Sequence, residues 1–367
     1  MTEVKDPNKG RGWRIAIQVI GFLAGLAALG WCLKTAFKPE NRAQFAKLGE
    51  APASLLVAML GLSLATLVLN GLAFWISICP VRRLKVMDVI ATNGVCSFLG
   101  YVPFKAGAIV RFIIHNRRDK VPVATIGAWF TALAVVMAAT FTVMCVSAIK
   151  WGRLDAAWAA MTLGGTIAAG VLIVGLATRF RGEKGLQRIE RLVGFTRIAA
   201  LKKPLRWNVW LQLHSGFDML ASPVAVGGGM TIRLIDSAVQ AMRFVIAARI
   251  FGVELTAQQA LLVSLLYFVV GVASPSGLVG LRDGAAAVLA GKLLERAGLS
   301  SEQGRDMFTA VALLVSATEA AAYLFGGAVG LAWLRPDRLL KLRDKRESSQ
   351  GAVGDRAGGR EPPDGLK

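Results

Sequence analysis

Long apolar blocks alternate with shorter polar connections along most of this chain. A run of about 18 or more apolar residues is long enough to cross a bilayer as a helix, and a helix satisfies its own backbone hydrogen bonds there. Blocks of about this length cover residues 15–33, 53–79, 122–149, 156–178, 258–274 and 307–334, and two less apolar stretches cover 209–228 and 231–252. The pattern predicts an all-α polytopic membrane protein with about 7–8 transmembrane helices.

The first apolar block, residues 15–33, is interpreted as a retained span. Its apolar core is longer than the roughly 7–15 residues of a signal-peptide core. Lys34 follows the block, and no small-residue cleavage site is found there. We therefore expect residues 1–14 to be cytoplasmic and the transmembrane domain to cover residues 15–335.

Two apolar stretches are broken by glycine, proline and charged residues. They read SFLGYVPFKAGAIVRFIIHNRR at 97–118 and VASPSGLVGLRDGAAAVLAG at 272–291. Irregular backbone at membrane depth is tolerated only inside protein or beside a water-filled cavity, and paired breaks in two halves point to a transport site. We predict two broken or re-entrant hairpins. Their backbone positions are Gly100, Pro103, Gly107, Pro275, Ser276, Gly277, Gly280 and Gly284.

A topology with the N-terminus inside places these hairpins in opposite orientations. The hairpin around Pro103 begins and ends on the cytoplasmic side. Stretch 209–228 then leads outward, 231–252 leads back, and 258–274 leads outward again, so the hairpin around Pro275 starts from the outside. This is the arrangement of an inverted repeat.

The charge distribution supports the same orientation. The chain has 43 Lys and Arg against 23 Asp and Glu, and its net charge is +20. These basic residues lie beside spans, where the positive-inside rule and anionic headgroups explain them better than nucleic acid does. We divide the transmembrane domain into halves at about 50–178 and 207–335, with the basic loop 179–206 between them. We expect this loop and the tail 336–367 to be cytoplasmic. The tail has few apolar residues and is expected to be disordered. The basic loop 34–50 disagrees, because this topology places it outside.

Charged residues at the two breaks are candidates for binding a lipid headgroup. Arginine suits a phosphate because its guanidinium forms bidentate hydrogen bonds. Lys105 and Arg111 either bind such a phosphate near mid-membrane or mark the start of the cytoplasmic loop, with Arg111 extending to the headgroups. Arg282 and Asp283 either form an internal pair lining a cavity or belong to an ordinary turn at the membrane surface.

The stretch 231–252 carries a polar stripe on an otherwise apolar helix. Arg233, Asp236, Gln240 and Arg243 have the spacing i, i+3, i+7 and i+10, which is one helix face. A spanning helix turns such a stripe to a polar interior, whereas an interfacial helix places it among the headgroups.

Three further ionisable residues lie within candidate spans. His214 and Asp218 are four residues apart and are expected to line the same headgroup path as the stripe. Glu319 lies inside the last apolar block, where an ionisable residue is a functional candidate by default. Its alternative role is an ion pair, or a neutral protonated contact, that holds helices together. The small residues around it favour close helix packing.

The sequence contains no pattern typical of a metal site or an enzyme. The four cysteines form no CxxC pair, and the two histidines are far apart, so neither a metal nor a disulfide framework is expected. No Walker loop, HExxH or GxSxG motif occurs. We expect no cofactor and no catalytic activity.

The two breaks also carry the motifs of a known family. In the transmembrane, flippase-like domain of the lysylphosphatidylglycerol synthase family, they read roughly P-x-R-x-G-E/D-x-x-R and P-S-G-G-L-G-V-R-E-G. Here the first motif matches in spacing, with Lys105 for arginine and Ala108 for the acidic residue. The second matches without a gap, with Leu278 for glycine and Asp283 for glutamate. The chain resembles this family over about residues 15–335.

The resemblance implies that the protein moves a lipid across a bacterial inner membrane. The cargo would be an anionic phospholipid or an isoprenoid lipid of the hopanoid type. No synthase domain accompanies the spans in this sequence, so synthase activity is not implied. Two alternatives stay open: a scaffold or partner of a lipid-biosynthetic enzyme, and an enzyme that uses a lipid-linked sugar. If the protein translocates a lipid, membrane lipids are its expected partners. Nucleic acid is not expected as a partner.

Overall fold

The computed structural model describes residues 49–101, 106–151, 154–195, 207–273, 281–295 and 301–334. These residues are helical apart from short connections, and no strand occurs among them. Four of the helices are long and apolar enough to cross a membrane: Ala53–Ile78, Val123–Lys150, Ala156–Arg179 and Phe308–Leu334. The prediction of an all-α polytopic membrane protein is confirmed.

Eleven α-helices and one 3-10 turn make up the described part of the chain. The first five are α1 (Ala53–Ile78), α2 (Val86–Phe98), α3 (Ala106–Arg117), α4 (Val123–Trp151) and α5 (Ala156–Arg179), and the 3-10 turn Leu99–Tyr101 follows α2. The others are α6 (Gly182–Phe195), α7 (Asn208–Leu220), α8 (Pro223–Ile250), α9 (Ala257–Ala273), α10 (Leu281–Glu295) and α11 (Ser301–Leu334).

Several predictions concern residues that lie outside this description. They are the first span 15–33, the tail 336–367, and the hairpin positions Pro103, Lys105, Pro275, Ser276, Gly277 and Gly280.

Polar contacts identify one basic end of the helix bundle. Asp88, in the first turn of α2, accepts from Arg118 after α3 at 2.9 Å and from the indole of Trp333 near the end of α11 at 2.8 Å. Arg82, just after α1, donates to the carbonyl of Lys120, just before α4, at 3.3 Å. These contacts place the C-terminal ends of α1, α3 and α11 beside the N-terminal ends of α2 and α4.

The two hairpins enter the bundle from opposite ends, as the sequence predicts. The α2–α3 hairpin begins and ends at the basic end. At the other end, Gln258 at the start of α9 donates to the carbonyl of Ala148 near the end of α4, at 2.8 Å. Helix α10 leads back to the start of α11, which is also at that end. The described arms of the two hairpins meet inside the bundle, where Arg282 of α10 lies 3.5 Å from the Tyr101 hydroxyl.

The predicted route through residues 209–228 and 231–252 is wrong. Helix α7 ends at Leu220, and Pro223 opens the separate helix α8, which the Ser222 side chain caps by accepting from the backbone N–H of Ala225 at 3.3 Å. Serine is favoured at the N-cap of a helix, and proline is favoured at its first position. Helix α7 stays near the basic end, where Met219 packs into a cluster with residues at the start of α4.

Helix α8 instead makes the whole crossing from the basic end to the opposite end. Its 28 residues give a length of about 42 Å. Val226, near its start, packs against the second half of α5, and Phe251, just after its end, packs with Ala148 near the end of α4. The 17 residues of α9 therefore form the first arm of the second hairpin and not an outward span.

Helix packing and polar spacing repeat between the two halves. Helix α1 packs on α2 as α8 packs on α9, and α3 packs on α4 as α10 packs on α11. The first helices of the halves, α1 and α8, pack on each other. On α1, the polar residues Ser63, Thr66 and Asn70 have the same i, i+3, i+7 spacing as the start of the polar stripe on α8. Ser63 and Thr66 are buried, and Asn70 is partly buried.

Glycines allow α2 and α11 to pack backbone against backbone. A side chain at Gly94 would overlap the carbonyl oxygen of Gly326, and one at Gly330 would overlap the carbonyl oxygen of Ala91. Close approach through small residues is the usual way in which membrane helices associate. The small-residue pattern of the last apolar block therefore serves packing here.

We expect Gly94→Ala to lower stability by about 1–3 kcal/mol, since the backbone carbonyl that its methyl group meets cannot move aside cheaply. Gly61→Ala is the matched control, because no atom lies within 4 Å of the added methyl group. Alanine in an open helix position raises stability by up to about 1 kcal/mol. Thermal unfolding of the purified proteins in detergent measures both effects. Equal midpoints for the two variants would contradict the packing described here.

Candidate functional site

Six charged side chains meet in the interior of the bundle, and they are called the charge cluster below. Helices α8, α10 and α11 supply them. The members are Arg233, Asp236, Arg243, Arg282, Asp283 and Glu319, and each has a relative exposure of 4% or less. Three cations and three carboxylates balance when all are ionised. Such balance is needed, because an isolated buried charge is very costly.

Glu319 lies between two arginines. Its Oε1 accepts from Arg282 Nη1 at 2.7 Å, and its Oε2 accepts from Arg243 Nη2 at 3.1 Å. The same Nη2 atom also donates to the carbonyl of Val315, at 3.0 Å. Charge-assisted bonds of this kind are among the stronger hydrogen bonds in proteins. Glu319 thus joins the second hairpin to α8 through α11.

The polar stripe on α8 is turned to the bundle interior. Arg233 and Asp236 form an ion pair at 3.1 Å, and the Gln240 amide donates to Asp236 at 3.0 Å. Arg233 also donates to the side-chain oxygen of Asn70 on α1, at 2.6 Å. The interfacial alternative for this stretch is therefore wrong, because the stripe is buried against α1 and α11 and does not face the headgroups.

Arg282 connects both hairpins to the cluster. Besides its bond to Glu319, its guanidinium stacks over the Tyr267 ring at 4.4 Å and lies near the Tyr101 hydroxyl. Asp283 accepts from the Ser316 hydroxyl, which also bonds the Tyr267 hydroxyl at 2.6 Å. Arg282 pairs with Glu319, and Asp283 accepts from Ser316, while the direct Arg282–Asp283 pair stays a prediction. The surface-turn alternative is wrong, because both side chains are buried.

Arg111 is buried in the first hairpin, apart from the charge cluster. Its Nη2 donates to Asn93 at 2.5 Å, and its guanidinium stacks over the Phe74 ring at 3.8 Å. The Asn93 amide in turn donates to the carbonyl of Leu67, at 2.8 Å. The alternative in which Arg111 extends to the headgroups is wrong, because the side chain turns inward.

His214 and Asp218 do not join the charge cluster. Asp218 pairs with Arg181 at 3.4 Å at the basic end, and about a third of its side chain is exposed. His214 packs against the Phe217 ring, with 5.4 Å between ring centroids. The predicted headgroup path through these two residues is therefore wrong. The cause is the break at Ser222, which separates α7 from the stripe.

We expect Asp218→Asn to change stability by no more than about 1 kcal/mol, because exposed ion pairs contribute little. Thermal unfolding midpoints in detergent, compared at low and high salt, measure this. A loss as large as that of a cluster variant would show that Asp218 has partners beyond Arg181.

Sequence reasoning missed the neutral residues that complete the site. Asn70 and Asn93 each lie inside an apolar helix, Tyr101 lies in the first broken stretch, and Tyr267 and Ser316 lie within predicted spans. An amide at such a position is a usable signal, because polar side chains in membrane helices hydrogen-bond across helices. The three hydroxyl residues gave no such signal, since they occur often in apolar helices.

These features define a class: a polytopic helical membrane protein in which two broken hairpins from opposite ends meet at a buried charge cluster. In the parts of the chain that the structure describes, no group of three or more His, Cys, Asp or Glu could hold a metal ion. The family model for the lysylphosphatidylglycerol synthase TM region matches residues 18–330. The chain belongs to this family, and it is a membrane protein involved in lipid handling. Comparisons with curated proteins and with solved structures gave no match.

Proposed function

We propose that this protein translocates a lipid between leaflets or towards the outer envelope, the lipid being an anionic phospholipid or an isoprenoid of the hopanoid type. The observation that carries the proposal is the charge cluster where hairpins from opposite ends meet. Ionisable groups inside a membrane protein mark substrate or ion pathways. A cluster reached from both ends suits a cargo that passes from one leaflet to the other.

The cluster favours an anionic headgroup as the polar part of the cargo. Glu319 satisfies both Arg243 and Arg282, so opening the cluster requires another anion to replace its carboxylate. Buried arginines left without an anion would be strongly destabilising. A phosphate can replace the carboxylate, because guanidinium groups bind it in a bidentate way.

In this mechanism the headgroup moves through a hydrated groove while the apolar part of the lipid stays in the bilayer. The two hairpins and the α8 stripe line the groove, and alternating tilts of the two halves expose it to each leaflet. Arg111, Arg243 and Arg282 hold the anionic group. Asp236, Asp283 and Glu319 balance the charge or couple proton movement. We assign the protein a transport role and no catalytic role.

We propose that the basic end faces the cytoplasm of a bacterial inner membrane. In the described part of the chain, helix ends and short connections at this end are rich in lysine and arginine, which favour the cytoplasmic side. The basic positions at this end include Arg82, Arg83, Lys85, Arg117, Arg118, Lys120, Arg179 and Arg181. Both chain termini are cytoplasmic in this orientation.

Mass spectrometry of the lipids that co-purify in mild detergent tests whether the arginines bind a lipid. We expect one enriched lipid class with the wild-type protein, and its loss from the Arg111→Ala, Arg282→Ala double variant. Arg181→Ala, an exposed arginine at the basic end, is the matched control and should keep the enrichment. Bulk membrane lipid in all three samples would contradict the proposed site.

A second candidate function is a membrane partner that recruits a lipid-modifying enzyme. It is favoured by α6, which presents the exposed basic side chains of Lys184, Arg188 and Arg191 near the basic end. Deleting residues 338–367 and replacing Lys184, Arg188 and Arg191 by glutamine separates the two functions, because recruitment would use the basic loop and the tail together. A transporter should keep most of its lipid transfer in liposomes after these changes, and a recruiting partner should lose its function in cells.

A further inference from the structure

Helix α6 folds back against the end of α5 at the basic end of the bundle. Gly182 opens it with a φ of +61°, a left-handed conformation that favours glycine, and so turns the chain sharply. Arg188 donates to the carbonyl of Arg179, the last residue of α5, at 2.5 Å. A side chain at Gly185 would overlap the carbonyl oxygen of Phe180. Gly185 and Arg188 therefore identify the side of α6 that faces the end of α5.

Contacts with α7 hold α6 at the level where the spans leave the bilayer. The two helices pack on each other, and Arg181 pairs with Asp218 at 3.4 Å. The Phe180 and Phe217 rings also lie close, with 5.7 Å between their centroids. Helix α5 is long and apolar enough to cross the membrane, and only Phe180 and Arg181 separate it from α6. Helix α6 therefore lies at the membrane surface.

The charged side chains of α6 are sorted between two sides of the helix. Its exposed basic residues recur at i, i+4 and i+7 and form one stripe, called the basic stripe below: Lys184, Arg188 and Arg191. Because Arg188 also belongs to the side that faces α5, the basic stripe borders the membrane. At about 100° per residue, Glu183 and Glu190 lie on the side opposite Gly185 and Arg188, away from the end of α5. The basic groups are thus nearer to the bilayer, and the acidic groups face the water.

A third side of α6 is apolar. Leu186 and Ile189 recur at i and i+3 on this side, and both are half-buried. A helix that combines an apolar side with lysine and arginine on its polar surface typically lies in the plane of the membrane interface. Arg179 and Arg181, at the junction of α5 and α6, are exposed and extend the basic surface.

We propose that the basic stripe binds the anionic headgroups of phospholipids in the leaflet that adjoins the basic end. Phosphate oxygens are good acceptors for guanidinium and ammonium groups. Each lysine or arginine near an anionic membrane surface strengthens the contact about fivefold, so the basic stripe as a whole strengthens it about a hundredfold.

The position of the acidic residues favours a lipid surface over an acidic protein surface. A protein partner that approaches from the water would meet Glu183 and Glu190 first, and like charges would repel it. The headgroups instead lie on the side of the basic stripe. This inference does not depend on the proposed translocation, because a surface contact requires no lipid to cross the membrane.

Hydrogen exchange of the full chain in lipid nanodiscs tests this contact. One set of discs contains phosphatidylcholine alone, and the other contains equal parts of phosphatidylcholine and phosphatidylglycerol. We expect the amides of residues 183–191 to exchange about tenfold more slowly in the anionic discs, because the headgroup contacts oppose the opening of α6. High salt should remove the difference, since it screens exposed charges.

Charge variants with a matched control identify the residues responsible. Lys184→Gln with Arg191→Gln should remove most of the slowing, and it keeps the bond from Arg188 to the end of α5. Arg83→Gln with Lys85→Gln, at two exposed positions between α1 and α2, is the matched control and should keep the slowing. Equal exchange of the wild-type protein in both kinds of disc would overturn the proposal and make an acidic protein the better occupant. Slowing that survives both the Lys184→Gln, Arg191→Gln variant and high salt would also overturn it.

Discussion

Glu319→Gln is expected to destabilise the protein by about 3–5 kcal/mol, because it leaves two buried guanidinium groups without their shared carboxylate. Arg243 and Arg282 both bond Glu319, and neither can turn to solvent. Glutamine has nearly the same shape, so the loss isolates the charge. The interaction is also the one that joins the second hairpin to α8, so lipid transfer should fall to the background level.

Thermal or denaturant unfolding in detergent measures the stability loss. Glu254→Gln is the matched control, since Glu254 is exposed in the connection between α8 and α9. Surface substitutions of this kind usually change the free energy of unfolding by no more than about 0.5 kcal/mol. Equal unfolding midpoints for the two variants would show that Glu319 is not needed to neutralise the two arginines.

The Arg282→Met, Glu319→Gln double variant is expected to regain part of the stability but none of the transfer, because only Arg243 and no longer two arginines lacks its carboxylate. Removing both charges leaves two cations, Arg233 and Arg243, and two anions, Asp236 and Asp283, so the net charge of the cluster is again zero. Replacing a buried ion pair by groups of similar volume is often neutral for stability, whereas removing one partner is not. Transfer stays lost because the double variant no longer has an arginine at the meeting point of the hairpins.

A double-mutant cycle on unfolding free energies quantifies this coupling. Contacting charged residues give interaction energies of about 0.5–3 kcal/mol, so the double variant should be less destabilised than the sum of the two single variants. Additive losses would mean that Arg282 and Glu319 act independently. A double variant that unfolds like Glu319→Gln alone would mean that charge balance is not what holds the cluster together.

The apolar pattern was sufficient to predict the fold class and most of the long helices. Apolar length is a direct requirement of the bilayer, so the spans 53–79, 122–149, 156–178 and 307–334 correspond closely to α1, α4, α5 and α11. The polar stripe on α8 was also predictable from the sequence, because its four polar residues share one helix face. That spacing did not show which way the face turns, because its partners, Asn70 of α1 and Glu319 of α11, lie on other helices.

The route between residues 207 and 273 was not predictable from apolar length. The chain there contains enough apolar residues for three crossings, and yet it makes one crossing followed by one hairpin arm. A local signal existed in Ser222 and Pro223, which favour the start of a helix. The predicted stretch 209–228 rested on apolar length and not on this signal. It therefore covers the end of α7 and the start of α8 as if they were one helix.

The partners within the charge cluster follow from tertiary packing alone. Arg282 and Glu319 are 37 residues apart, and no spacing rule links them. The same holds for Arg243, whose contact with Glu319 depends on how α8 and α11 cross. Residue type and position inside apolar runs were enough to select these side chains as candidates, but not to pair them.

Transfer of lipid between leaflets in liposomes tests the central claim most directly. Fluorescent phosphatidylglycerol and a fluorescent polycyclic isoprenoid lipid are each placed in both leaflets, and an impermeant quencher reports the fraction that reaches the outer one. If the protein translocates lipid through the charge cluster, we expect faster quenching of one of these lipids with the wild-type protein, and the rate of protein-free liposomes with the Arg282→Met, Glu319→Gln double variant. Quenching at the protein-free rate for both lipids with folded wild-type protein, or unchanged transfer in the double variant, would contradict it.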